Sequence, residues 1–476
     1  MDEFAFLDAT AQAELVRRKE VMASELVDAA IARVERLNPE LNAVITPLYE
    51  QAKEAASTAS GDAPFSGVPF LLKDLVSECA GAPRTDGSAF VVGHYVSPVD
   101  SELVRRYKRA GLIILGKTNT SEFGLLPTTE PHRFGPTRNP WDTRLGTGGS
   151  SGGSSAAVAT GMVAAAHAND GGGSIRVPAA CCGLVGLKPT RGRNSLAPHY
   201  GDIAGGIICE HVVTRSVRDS AAILDATAGP MPGDPYSLDA PDCSYAVEAG
   251  RDPGRLRIAL DTQSLSGVPA HADCAAGAEA AARLCEELGH EVVEASPAID
   301  GQRLLKVFGA VLTGYLCWNI EDWALRIGRT PSEGDFEPVT WRMYQNGLQQ
   351  SGGDYLLAIE QMQQIGRDFA GFFSDREIWL TPTLARPPVP VGYFEYAPNE
   401  RDRFFARLAE YTGFTLIANA TGQPAVSLPL HWNGDDLPIG VQLTGRYGDE
   451  ATLIRLAAQL ERARPWADRR PPLRSR

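Results

Sequence analysis

The sequence predicts an α/β fold, on three observations. Short apolar runs bounded by glycine or aspartate alternate with helical patterns: 68–73 and 112–115 flank a helical stretch at 101–110. A helix between two such runs is the mark of a βαβ unit. The same alternation returns at 254–300. Between them, residues 135–155 are nearly all Gly, Ser, Thr, Pro and Asn. Inside an otherwise packed pattern such a stretch is a functional loop more often than a linker.

Taken in order, residues 1–58 read as a helical N-terminal layer. Helices are expected at 11–21 and 24–37, with Ser24 as N-cap of the second, then Asn38-Pro39 as punctuation and a third helical stretch through Ala56. Val68-Pro-Phe-Leu-Leu-Lys73 fits a buried strand. The 101–110 helix is closed by Gly111 and leads into the 112–115 strand. Residues 156–168 read as a helix of small side chains suited to close packing, and 184–187 as a strand stopped by Pro189. Strand, helix and strand follow at 256–260, 272–288 and 291–294. Residues 301–375 are helical and unusually aromatic, with Phe308, Tyr315, Trp318, Trp323, Trp341 and Tyr344. Strands at 378–380, 425–430 and 439–443 and a helix at 450–463 complete the pattern. No internal repeat, low-complexity tail or clear linker interrupts it, which favours one α/β unit.

Composition narrows the function classes. With 476 residues, 43% hydrophobic and 22% charged, the chain is globular in type, neither disordered, fibrous nor membrane-spanning. Its length alone allows one to three domains. A net charge of −13 repels phosphate backbones, so no nucleic-acid partner is expected. The eight cysteines form no CxxC pair and no Cys/His cluster at zinc spacing, and read as buried thiols of a reducing cytosol; no metal is expected. The N-terminus MDEFAFLDAT shows no secretory signal, and the longest low-polarity run is too short to cross a bilayer. A cytoplasmic protein without a membrane partner is the expectation.

The densest signal is Gly146-Thr-Gly-Gly-Ser150-Ser-Gly-Gly-Ser154, followed by Asp170-Gly-Gly-Gly-Ser174-Ile-Arg176. A phosphate cradle is one reading, but no GK[ST] ends the loop. For a dinucleotide fingerprint, Ser151 stands where the third glycine belongs, and no strand precedes the motif. Helix capping would explain Ser154 and Ser155, yet two Gly/Ser clusters exceed what capping needs. The third reading is nucleophilic catalysis. Gly171, Gly172 and Gly173 before Ser174 would let backbone N–H groups converge on an oxyanion. A base is then required. His167 lies in an apolar run and reads as a satisfied core histidine. A buried neutral lysine is the other solution, and Lys73, Lys117 and Lys188 each follow an apolar run; spacing does not choose among them.

GTGGSSGGSSAAVATG with NDGGGSIRVPAACCGLVGLKPTRGR resembles the signature of the amidase signature family, whose members hydrolyse amides with a Ser–cis-Ser–Lys triad. VPFLLKD resembles the family's lysine-bearing strand, and GKTNTSEFG, GPTRNPWD, TPT at 381–383, NATGQPAVSLP and LPIGVQLTGR resemble later blocks. The resemblance implies a large mixed β-sheet surrounded by helices. It divides the chain into a signature core at 62–200, a variable substrate-shaping region at 230–375 and a C-terminal part of the core at 376–465. It also implies Ser174 as nucleophile, Ser150 as bridging serine after a cis peptide, and Lys73 as base. Gly171, Gly172 and Gly173 would form the oxyanion hole, Asp170 and Arg176 would brace the loop, and Cys317 would either line the acyl pocket or be a buried core thiol. No cofactor is implied, the partner is a small-molecule amide, and a homodimer fits the family. Asn169 stands where many members have Thr, a variant shared by a branch of bacterial amidases that includes hydrolases of cyclic aminohexanoate oligomers.

The family rival is the glutamine-hydrolysing A subunit of the tRNA-dependent amidotransferase. Val177 stands where that subunit typically has Gln, and 411–419 lacks the acid expected to grip the glutamine amine. A membrane-anchored fatty-amide hydrolase is disfavoured because no hydrophobic segment is seen at the N-terminus. The aromatic 301–375 segment tilts the substrate toward hydrophobic or aromatic amides.

Overall fold

In the computed structural model, which describes residues 4–59, 61–265 and 267–475, eleven strands form one sheet. Along the chain they are β1 (Val44–Pro47), β2 (Pro69–Lys73), β3 (Ile113–Thr118), β4 (Ala165–Asp170), β5 (Val185–Lys188), β6 (Cys209–Thr214), β7 (Arg257–Leu260), β8 (Glu291–Glu294), β9 (Ile378–Pro382), β10 (Ala425–Trp432) and β11 (Pro438–Gly445). Their order is β1-β3-β2-β4-β6-β5-β10-β11-β9-β7-β8. The sheet is mixed: β2 runs parallel to β3 and β4, and β7 parallel to β8 and β9, while β4, β6, β5, β10, β11 and β9 alternate antiparallel. Helices Glu102–Arg109 and Ala272–Glu287 make the two βαβ crossovers expected from the alternation.

Three sequence expectations change. The first is the N-terminal layer, which is not wholly helical. Its second helix starts at Ala23 rather than after Ser24, with the Met22 N–H donating to the Glu25 carboxylate (2.8 Å). That helix runs through Pro39 to Leu41, and Asn42 ends it in the left-handed conformation. Asn38 Oδ1 then accepts from the N–H groups of Ala43 and Val44, both at 2.8 Å, and sets up edge strand β1. The second change is at 156–168, which is not one helix. The helix is Gly152–Ala159, and 165–170 is β4, held between β2 and β6. Alanine favours helix locally, but full burial between two strands overrides that preference. His167 therefore sits on a strand. The third is β6, which has no apolar run to announce it, because its six buried residues include Glu210 and His211.

The 152–159 helix is buried on all sides and packs on β4, as its small side chains allow. Helices Gly301–Ile327, Pro338–Gly347 and Gly352–Phe372 form a separate layer. Tyr315 Oη, donating to the Phe123 carbonyl (3.2 Å), and Trp323 Nε1, donating to Asp86 Oδ2 (2.8 Å), tie that layer to the sheet. Six of the eight cysteines are buried, and no disulfide occurs among the described residues. Among these residues no helix is long and apolar enough to cross a membrane.

Candidate active site

Lys73 closes β2, whose five residues are all buried, as a parallel strand with neighbours on both sides requires. Its Nζ lies 2.7 Å from Ser150 Oγ and donates to Asn169 Oδ1 at 2.5 Å. The other two lysines left open by spacing point elsewhere. Lys117 Nζ reaches Asp74 Oδ1 (3.3 Å) and the Ser77 carbonyl (3.1 Å), and Lys188 Nζ reaches the Pro189 carbonyl (2.8 Å). Only Lys73 meets a serine of the glycine-rich loop. Burial pulls its ammonium down to about 7, against the nearby charges of Glu210, Asp170 and Asp86, which favour the cation.

The loop carrying Ser150 is pinned from one side. Thr129 Oγ1 donates toward the Gly148 and Ser150 carbonyls (3.0 and 3.2 Å) and accepts from the Gly152 N–H (3.0 Å). The Gly149–Ser150 peptide is cis, and a Cβ on Gly149 would sit 2.2 Å from the Thr128 carbonyl oxygen, so no larger residue fits. Ser151 and Ser154 are braces: their hydroxyls donate to the carbonyls of Asn169 (3.2 Å) and His167 (2.7 Å) on β4.

Ser174 follows β4 at the turn into helix Arg176–Cys182 and is half-buried. Asp170 organises that turn. Its carboxylate accepts from the N–H groups of Gly173 (2.6 Å) and Ile175 (3.1 Å), and bidentately from Arg176, with both contacts at 3.0 Å. Burial pushes this carboxyl up, and the Arg176 guanidinium more than reverses that, holding it well below the ordinary carboxylate range. Arg176 is itself fixed by Gln442 Oε1 (2.8 Å) on β11 and Asn419 Oδ1 (2.6 Å) on helix Leu416–Thr421. Gly173 has φ +129°, and a Cβ there would meet Thr415 Oγ1 at 2.6 Å. The Gly173 N–H is engaged by Asp170, whereas those of Gly171, Gly172 and Ser174, residues that line the cavity, have no acceptor among the described residues.

Ser150, Asn169, 171–173 and Ser174 line a cavity of about 560 Å³. The rest of its wall is largely apolar, with Leu75, Phe123, Phe308, Leu312, Tyr315 and Leu416 prominent. Among the described residues Glu410 is its one charged lining side chain, and it is paired with Arg386 at 2.6 Å. Helix Gly301–Ile327 turns residues 305, 308, 309, 312 and 315 to the cavity, while Cys317 packs against Gly347 of the neighbouring helix and is absent from the wall.

The sequence profile of the Amidase family matches residues 25–454. The chain is 40% identical to the 6-aminohexanoate-cyclic-dimer hydrolase of Paenarthrobacter ureafaciens, over 98% of this chain and 96% of that protein. The chain belongs to the amidase family. It is a hydrolase acting on amide C–N bonds, and it has the amidase-signature fold. Its structure overlays a 6-aminohexanoate cyclic dimer hydrolase solved with substrate at a TM-score of 0.95 (38% identity, covering 98% and 99% of the two chains). A bacterial aryl acylamidase of the amidase signature family follows at a TM-score of 0.87 (26% identity, 97% of each chain).

Several residues of this amidase's site were not singled out by sequence reasoning. Asn419 and Gln442 lie inside blocks that resemble the family, NATGQPAVSLP and LPIGVQLTGR, so a signal existed, though nothing in it linked them to Arg176. Asn169 was legible only as a variant of the family pattern, and its contact with Lys73 comes from the pairing of β4 beside β2.

Proposed function

We propose that the chain hydrolyses uncharged carboxylic amides with apolar or aromatic acyl groups through Lys73, Ser150 and Ser174. The observation that carries this is the 2.7 Å approach of Lys73 Nζ to Ser150 Oγ, beside a largely apolar cavity whose wall also includes Ser174. Lys73, neutral above about pH 7, accepts a proton relayed through Ser150 as Ser174 Oγ attacks the carbonyl carbon. Backbone N–H groups of Gly171, Gly172 and Ser174 receive the developing oxyanion, the Gly173 N–H being held by Asp170, and Asp170 and Arg176 hold the turn. The proton returns through Ser150 to the leaving nitrogen as the C–N bond breaks, and water then releases the acyl group from Ser174.

Uncharged substrates are favoured because the wall offers no unpaired counter-ion: Glu410 is already matched by Arg386. Lactams and aryl amides fit this description, and the relatives named for a cyclic dimer and for aryl acylamides support it. The same apolar wall argues against free glutamine as substrate. The chain, 1–476, acts as one cytoplasmic catalytic unit in this reading. Mass spectrometry after a fluorophosphonate tests the nucleophile, and an adduct anywhere but Ser174 rejects the assignment. A turnover panel of aliphatic, aromatic and lactam amides with glutamine tests the substrate class; glutamine as the best substrate would overturn it.

A further inference from the structure

Beside Lys73 lies a second buried polar cluster, His167 and Glu210. The Lys73 backbone N–H donates to His167 Nδ1 at 3.2 Å, and His167 Nε2 lies 2.5 Å from Glu210 Oε2. Both side chains are buried, and they sit on adjacent antiparallel strands, β4 and β6. The hydrogen bonds fix the tautomer. Nδ1 accepts from a backbone N–H, so the proton of a neutral ring is on Nε2 and is donated to Glu210. The imidazole therefore does not neutralise the carboxylate, and Glu210 Oε1 is buried with no hydrogen-bond partner.

The charges around Lys73 can be sorted by their own partners. Asp170 is paired with Arg176 at 3.0 Å and Asp86 with Arg84 at 2.8 Å. Glu210 has no lysine or arginine partner among the described residues. The other titratable groups near it are uncharged: burial pushes His211 on β6 down to about 3, and Tyr107 of helix Glu102–Arg109 is driven well above its ordinary value. A buried carboxylate without a cationic partner among the described residues thus lies one imidazole ring from the backbone of the lysine that meets Ser150.

We propose that His167 and Glu210 are positioning residues for Lys73, the imidazole anchoring its backbone and the Glu210 carboxylate stabilising the lysinium that forms when the proton arrives. This rests on the reading of Lys73 as base. It gives the lysine two opposed influences, burial favouring the amine and Glu210 favouring the cation, so that the group can both release and take a proton near neutral pH.

The test is the pH dependence of kcat/KM, and of fluorophosphonate inactivation, in folded variants matched by circular dichroism. Glu210→Gln keeps an acceptor for His167 and removes the charge. Its acid limb should move down by on the order of one pH unit, with the plateau lowered about tenfold. His167→Gln keeps the Glu210 charge, so its limb should stay in place while its plateau falls. A Glu210→Gln profile that superimposes on the parent overturns the proposal, and so does an equal shift in His167→Gln, which would assign the effect to packing. If Glu210→Gln does not fold, His167→Phe with Glu210→Leu removes the pair together, which buried sites tolerate better, and reads the same limb. Lys73→Ala separates the two readings. Retained activity there sinks the base assignment, whereas an inert Lys73→Ala with an unmoved Glu210→Gln limb sinks only the role of the pair.

Discussion

The two walls of the cavity are built on opposite principles. The wall made by the 128–129 segment, β4 and the 146–176 loops is polar, fully buried behind its surface and cross-linked. Thr129, Asp170, Arg176, Asn419 and Gln442 each make two or more hydrogen bonds to groups distant in sequence. The facing wall, from helix Gly301–Ile327, is largely apolar, and its Tyr315 reaches Phe123 in the segment after β3. Leu325 of that helix is exposed, as are Leu356 and Leu357 of helix Gly352–Phe372. The proposed chemistry sits where geometry is over-determined, and the proposed acyl site lies where a side chain can change without disturbing that network.

The contrast is broken or sharpened by substitutions on each side. The largest effect is expected from Lys73→Ala, which should cost on the order of 10⁴-fold in kcat for amide hydrolysis. In the parent protein kcat/KM should rise with pH through about 7, since the amine must be neutral to act; a profile falling with pH across that range would contradict the base assignment. Next is Asp170→Ala, which leaves Arg176 buried without its partner. A loss of about 3–5 kcal/mol is expected, read by urea or thermal unfolding. On the apolar wall, Leu312→Ala should raise KM about tenfold for long apolar acyl groups, with the acid limb unmoved; a shifted limb would show that the walls are not independent. The smallest effect is expected from Lys188→Met, whose limb should match the parent because Lys188 points away from Ser150.

Much of the fold was readable because it rests on local pattern. Both βαβ crossovers, the helical character of 301–375 and the last three strands fall where the sequence pattern places them. The failures share a cause. β4 and β6 carry alanine, histidine, glutamate and asparagine in full burial, a composition that looks helical or solvent-exposed until the strands are paired. The site follows the same division. The proposed roles of Lys73, Ser150 and Ser174 rest on motif blocks, whereas the choice among three lysines, the engagement of the Gly173 N–H and the position of Cys317 depend on which elements lie side by side. Spacing along the chain does not contain that information. His167 was read as a satisfied core residue, and it is one, but its partners could not be named while β6 was unseen.

The placement of β10 and β11 has a consequence for how the enzyme is made. These two strands, synthesised after the other nine, lie in the middle of the sheet, between β5 on one side and β9 on the other. A nascent chain that has reached residue 420 therefore holds two separate half-sheets, each with an open edge, and Arg176 still lacks Gln442. The C-terminal hairpin works as a keystone: it closes both edges and completes the brace on the Ser174 loop in one step. Ribosome-bound or truncated chains should accordingly remain inert toward amides until that hairpin is free to insert.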